Sequence, residues 1–125
     1  QFSGTVSLAN NGGFASTKAQ CNVDLSAATG LVLRAHGPPR RYRLTVRTNS
    51  AGRISYRVPF WTTLQSAMHY LPFVRLQPMR RGQPRPDAPP FDAAAIREVG
   101  FLIGDEQEGD FALHVDCIQP YTART

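Results

Sequence analysis

Hydrophobic and polar residues alternate along most of this chain, in short segments separated by glycine- and proline-rich turns. Successive side chains of a β-strand point to opposite faces, so a two-residue period predicts strands with one buried face. The clearest case is 41–48, where Tyr42, Leu44 and Val46 fall on one face and three arginines on the other. The same pattern predicts further strands over residues 2–8, 14–21, 31–36, 54–62, 69–74, 100–105 and 111–118.

Turn signals divide these strands and predict one helical segment. Residues 10–13 read Asn-Asn-Gly-Gly, which is strong turn chemistry. Residues 77–90 contain five prolines and are predicted to form a long surface loop. Pro72 indicates an edge strand or a bulge, and Asp92 is a good N-cap for a short helix over 93–98.

Eight short strands and one short helix predict an all-β sandwich. The 125 residues match the usual size of one domain, so we expect a single domain over 1–125. Ten residues are predicted to form the core: Tyr42, Leu44, Val46, Tyr56, Val58, Phe101, Ile103, Phe111, Leu113 and Val115.

Charge narrows the classes of partner. The formal net charge is +5, and Lys18 is the only lysine, so the positive charge comes almost wholly from arginine. The guanidinium group suits carboxylates and phosphates. Basic residues form no run longer than a pair, and neither a helix-turn-helix pattern nor zinc-finger spacing is present, which disfavours nucleic acid. The apolar runs are too short to span a bilayer, so no membrane span is predicted.

Arginines are the strongest candidate binding residues. Arg34, Arg43 and Arg57 each lie opposite the apolar residues of their predicted strand, and Trp61 shares a face with Arg57. Short connections favour adjacent strands, so we expect the three arginines to project from one sheet surface that ends in the indole. Such a surface suits an anionic sugar, a carboxylated metabolite or an acidic protein. The alternative is a solvated outer face that keeps the sheet soluble.

His114 and Asp116 lie two residues apart on one predicted strand, so their side chains are expected to share a face. This pair could orient an imidazole for base catalysis, but a surface pair, or pairing of Asp116 with a neighbouring arginine, is the favoured interpretation. The histidines are isolated and the carboxylates of residues 105–110 match no calcium loop, so neither a metal nor a cofactor is predicted. Cys117 is expected to be buried, with Cys21 near it and not necessarily bonded.

Several segments resemble the complex I intermediate-associated protein 30 family. They are, in order, 2–8 (FSGTVSL), 12–16 (GGFAS), 31–37 (LVLRAHG), 41–44 (RYRL), 71–73 (LPF), Asp92, Ile96, 100–105 (GFLIGD) and 111–118 (FALHVDCI). The resemblance implies a galactose-binding-like jelly roll; mitochondrial members help to assemble respiratory complex I, and bacterial and plastid relatives have diverse roles. Two features depart from the family: Met68 stands where a Trp is usual, and the usual N-terminal Met-Gly-Gly segment has no counterpart.

The leading functional hypothesis is a non-catalytic binding or assembly module that recognises a protein partner or an anionic ligand. One alternative is a small-molecule enzyme, a cyclase or isomerase, working on the concave sheet face. Another is a carbohydrate-binding module. A cytoplasmic or organellar-matrix location is favoured over secretion. The candidate ligand-binding residues are Arg34, Arg43, Arg57, Trp61, His114 and Asp116.

Overall fold

The computed structural model describes residues 2–6, 15–103 and 109–123. Within them lie ten β-strands and two single-turn 3₁₀ helices, Phe73–Arg75 and Ala93–Ala95. The strands are β1 (Phe2–Val6), β2 (Ala15–Val23), β3 (Gly30–His36), β4 (Arg41–Thr48), β5 (Ser55–Trp61), β6 (Ala67–Pro72), β7 (Gln77–Arg80), β8 (Gln83–Pro84), β9 (Ile96–Ile103) and β10 (Gly109–Tyr121).

The strands form two antiparallel sheets, which confirms the predicted jelly-roll sandwich. The four-stranded sheet has the order β1-β10-β3-β6, and the six-stranded sheet the order β2-β9-β4-β5-β7-β8. The connection from β3 to β4 crosses from one sheet to the other, whereas β4 and β5 form a hairpin. Strands that follow each other in the sequence are therefore adjacent in a sheet in the case of β4 and β5, but not in the case of β3 and β4.

The core lies between the sheets and is built from the residues that alternation selects. Eight of the ten predicted core residues are buried, and the other two, Phe101 and Val115, are partly buried and pack against the rest. Tyr42 joins the sheets: its ring stacks on Phe60 of β5 at 5.8 Å and meets Phe111 of β10 edge-on at 6.5 Å. Leu31, Leu33 and Ala35 complete the core from β3.

Two predicted elements differ from the structure. Asp92 does cap a turn, since its Oδ1 accepts a hydrogen bond from the Ala94 N–H at 3.1 Å, but the turn ends at Ala95 and β9 begins at Ile96. Val23 and Thr48 both pair with Ile96, so strand pairing overrides the helical signal there. The predicted loop 77–90 also contains β7 and β8, because β5 has an open edge with which β7 pairs. The predicted turn at 10–13 and the acidic residues 105–108 lie outside the described residues.

A β-bulge at Asp116 corrects the expectation for Cys117. Val115 pairs with Ala35 and Cys117 with Arg34, so Asp116 is an extra residue in β10. An extra residue shifts the alternation by one place, which puts Cys117 on the outer face beside Arg34 rather than in the core. Cys117 is accordingly only half-buried, and Cys21 is exposed; both are free thiols.

Truncation of a core leucine tests the strand register. Leu44 is 1% exposed, so Leu44→Ala should lower the free energy of unfolding by about 2–5 kcal/mol through lost burial and a residual cavity. Leu64 is 72% exposed, and Leu64→Ala should change it by no more than about 0.5 kcal/mol. Urea denaturation of both variants measures the difference, and equal losses would contradict the assigned inner face of β4.

Candidate functional site

The outer face of the six-stranded sheet carries a group of arginines that we call the arginine surface: Arg41, Arg43 and Arg47 of β4 with Arg57 of β5. Their position follows from β4, where every second residue from Tyr42 to Thr48 is buried and the residues between them face outward. The β4–β5 hairpin then aligns Thr45 with Arg57, Arg43 with Pro59, and Arg41 with Trp61. Trp61 is 58% exposed and ends the surface.

Polar contacts hold part of the arginine surface in place. The Arg57 Nε–H donates to Ser55 Oγ at 2.9 Å, and Arg47 Nε lies 3.4 Å from a carboxylate oxygen of Glu98 on β9. These side chains border a solvent-open cleft of about 210 Å³ that Lys18 also lines. A cleft with several cations and one carboxylate favours an anionic ligand group.

A second hollow adjoins Trp61. Its volume is about 410 Å³, and its lining includes Arg40, Arg41 and the indole. The buried Thr62 hydroxyl fixes the adjacent turn: it donates to the Pro38 carbonyl at 3.0 Å and accepts from the Arg40 N–H at 3.2 Å. The alternation pattern did not single out this turn, because its order comes from a side-chain hydrogen bond rather than from strand pairing.

The prediction that Arg34, Arg43 and Arg57 share one sheet surface is wrong. Arg34 is exposed on β3, which belongs to the four-stranded sheet and pairs with β10 and β6. Arg43 and Arg57 lie on the other sheet, on the opposite side of the sandwich. The error came from treating the short connection before β4 as a hairpin, when it crosses between the sheets. A single anion site that contains all three guanidinium groups is therefore abandoned.

His114 and Asp116 lie with Arg34 on the four-stranded sheet. The His114 ring stacks on His36 with centroids 4.8 Å apart, and Asp116 Oδ2 lies 3.8 Å from His36 Nδ1. The Asp116 carboxylate thus lies beside the histidine of the neighbouring strand, at a distance too long for a hydrogen bond. The six candidate residues divide equally: Arg34, His114 and Asp116 on one sheet, and Arg43, Arg57 and Trp61 on the other.

The arginines are concentrated in one part of the chain, which supplies strands to both sheets. Residues 25–86, which include β3 to β8, contain eleven arginines and neither aspartate nor glutamate.

Across the described residues, no group of three His, Cys, Asp or Glu side chains is placed to hold a metal ion. The same part of the chain has no helix that is long and apolar enough to cross a membrane.

His69 of β6 points between the sheets, and alternation had not marked it as a site residue. Its ring lies 5.4 Å from that of Phe60, and its Nε2 is buried without a hydrogen-bond partner among the described residues. Burial disfavours the imidazolium and lowers the pKa of His69 below its ordinary value of 6.5.

The fold and the arginine surface together define a β-jelly-roll domain with open, mainly polar clefts. The model of the complex I intermediate-associated protein 30 family matches residues 1–115, so the chain belongs to that family. No curated protein matches the chain by sequence.

Solved structures with a similar fold include carbohydrate-binding modules. One is the family 11 module of the cellulosomal cellulase Lic26A-Cel5E of Clostridium thermocellum, with a TM-score of 0.71 and 13% identity over 98% of this chain and 81% of that one. Another is the family 11 module from Clostridium thermocellum in complex with a β-1,3-1,4-mixed-linked tetrasaccharide, with a TM-score of 0.63 and 14% identity over 98% and 82% of the two chains. At this identity the likeness establishes the jelly-roll fold.

The partly buried His69 should make stability depend on pH. Below pH 6.5 the unfolded chain protonates this imidazole while the folded state resists protonation, so the free energy of unfolding should fall as the pH drops from 7 to about 5. His69→Phe removes this contribution and should reduce the loss. Urea denaturation at the two pH values compares the proteins; an unchanged loss in the variant would show that His69 is not its source.

Proposed function

We propose that this domain is a non-catalytic binding module whose arginine surface binds an acidic protein partner. The observation that carries the proposal is the alignment of Arg43, Arg47 and Arg57 on adjacent strands. Guanidinium groups bind carboxylates through paired hydrogen bonds, and a row of them on a stiff sheet presents a fixed pattern of donors.

The clefts support binding rather than catalysis. An enzyme site for a small molecule is usually an enclosed apolar pocket in which a few polar groups converge. The clefts along the arginine surface instead open to solvent and are bordered by polar and charged side chains. Membership of a family named for association with a complex I intermediate also agrees with recognition of a protein.

Charge reversal at Arg43 tests the proposal, with poly-L-glutamate as the acidic probe. Trp61 is the only tryptophan, so its fluorescence reports directly on the end of the arginine surface. We expect Arg43→Glu to weaken binding by roughly tenfold or more, which corresponds to about 1.4 kcal/mol. Added salt should weaken the wild-type interaction, because screening limits exposed charges to about 8 Å at physiological ionic strength.

Arg85→Glu is the matched control, because Arg85 is exposed and follows β8, the edge strand that β7 separates from β5. It makes the same change in net charge and should weaken binding only slightly. Equal weakening by Arg43→Glu and Arg85→Glu would mean that the probe responds to overall charge, and the proposal would then fail. Circular dichroism of each variant confirms that the fold is retained.

Carbohydrate binding is the second candidate, and the exposure of two aromatic side chains favours it. Trp61 is 58% and Tyr70 57% exposed, and aromatic faces pack well against the apolar faces of sugar rings. The β-1,3-1,4-mixed-linked tetrasaccharide is the natural probe, since a module of similar fold was solved with it. Binding of the tetrasaccharide, measured by titration calorimetry, that Trp61→Ala abolishes and Arg43→Glu leaves intact would favour the sugar over the acidic protein.

A further inference from the structure

The sandwich is open along one side, between β5 of the six-stranded sheet and β6 of the four-stranded sheet. A groove of about 310 Å³ runs there, with Phe60 and Trp61 on one wall, Met68 and Tyr70 on the other, and Arg75 also in its lining. His69 lines it as well and packs against Phe60. The two strands belong to different sheets, so no backbone pairing joins these walls.

β6 offers an unpaired backbone edge to this groove. Among the described strands it pairs with β3 alone, so every second residue directs its N–H and C=O groups to the open side. Exposed edges are usually protected by charged side chains or proline. Residues 67–71 of β6 contain neither, and Pro72 stands only at the end of the strand.

β5 is protected where β6 is not. β7 covers only residues 55–57 of its free edge, which leaves the last part of β5 open. Pro59 lies in that part and pairs with Arg43 on its other side, so it supplies no N–H donor to the open edge. An incoming strand is therefore favoured at β6 over β5.

Exposed apolar side chains line the groove beside the same edge. Trp61, Met68 and Tyr70 are between 44% and 58% exposed, and Leu64 and Val74, which are more exposed still, lie in the segments that flank β6 in the sequence. Single exposed apolar residues are ordinary, whereas a concentration beside an open edge marks an interaction surface. The surrounding charge is positive, because Arg75 borders the groove and Arg40 and Arg41 border the hollow beside Trp61.

We propose that the groove binds an extended segment of the acidic partner, which adds to β6 as a further strand. This proposal rests on the function proposed above and names the part of the partner that is recognised. Strand addition satisfies the backbone groups of β6, apolar side chains of the segment pack towards Phe60 and His69, and its carboxylates meet Arg75. Trp61 borders both the groove and the arginine surface, so one partner reaches both.

Hydrogen exchange with a decapeptide of alternating glutamate and valine tests strand addition. Bound peptide should slow the exchange of alternate backbone amides of β6, because they become hydrogen-bonded. A peptide of the same composition with its glutamates and valines in two blocks should protect them far less, since it cannot place apolar residues on one face. Equal protection by both peptides, or none by either, would overturn the proposal.

Met68→Glu supplies the matched variant, because Met68 is 44% exposed and a carboxylate there should repel the acidic segment. We expect roughly tenfold weaker peptide binding, whereas Met68→Lys should bind at least as well as the wild type. Ile118→Glu is the control: Ile118 is 40% exposed and lies on β10, with β3 between it and β6. Equal weakening by Met68→Glu and Ile118→Glu would overturn the assignment to the groove.

Arg43→Glu separates this proposal from the function on which it rests. If that variant weakens poly-L-glutamate binding while the decapeptide leaves β6 amides unprotected, the arginine surface stands and strand addition fails. If the decapeptide protects β6 and Met68→Glu abolishes protection while Arg43→Glu matches Arg85→Glu, strand addition stands and the arginine surface fails. Binding of the tetrasaccharide in the groove, with no binding of either the decapeptide or poly-L-glutamate, would overturn both.

Discussion

The alternation of β4 is the constraint on which the rest of the structure depends. Its inward residues supply the centre of the core, where Tyr42 contacts aromatic rings of both sheets. Its outward residues supply three of the four guanidinium groups of the arginine surface. Because side chains alternate strictly along an unbulged strand, burial of Tyr42, Leu44 and Val46 forces Arg41, Arg43 and Arg47 to the opposite face. Core packing therefore also orients the candidate binding residues.

The sequence was sufficient for features that depend on periodicity within one strand. The faces of β4 and β5 follow from their alternation, and both strands form in the predicted places with the predicted inward residues. The cap at Asp92 was also predictable, because it depends on a hydrogen bond over two residues. The resemblance to the family, spread along the chain, supplied the jelly-roll topology that periodicity alone does not contain.

Features that depend on which strands are adjacent could not be predicted from the alternation of the sequence. Arg34 was misplaced because a short connection between strands looks the same whether it makes a hairpin or crosses between sheets. Cys117 was misplaced because nothing in the residues 113–118 distinguishes a bulge from regular alternation. The groove could not be predicted for a related reason. Its walls come from β5 and β6, which lie close together only because one sheet packs on the other.

The bulge at Asp116 has a consequence for how this strand can vary among relatives. The other residue pairs between β10 and β3 keep their register if Asp116 is removed, since Val115 and Cys117 already pair with the adjacent residues Ala35 and Arg34. A loss or gain of one codon here would thus delete or add a carboxylate beside His36 without turning any other side chain over. Bulges are often retained because they re-aim a single side chain. Insertion or deletion of this one residue can therefore change the charge on the outer face of the four-stranded sheet between relatives. The inward-facing residues of β10 stay the same.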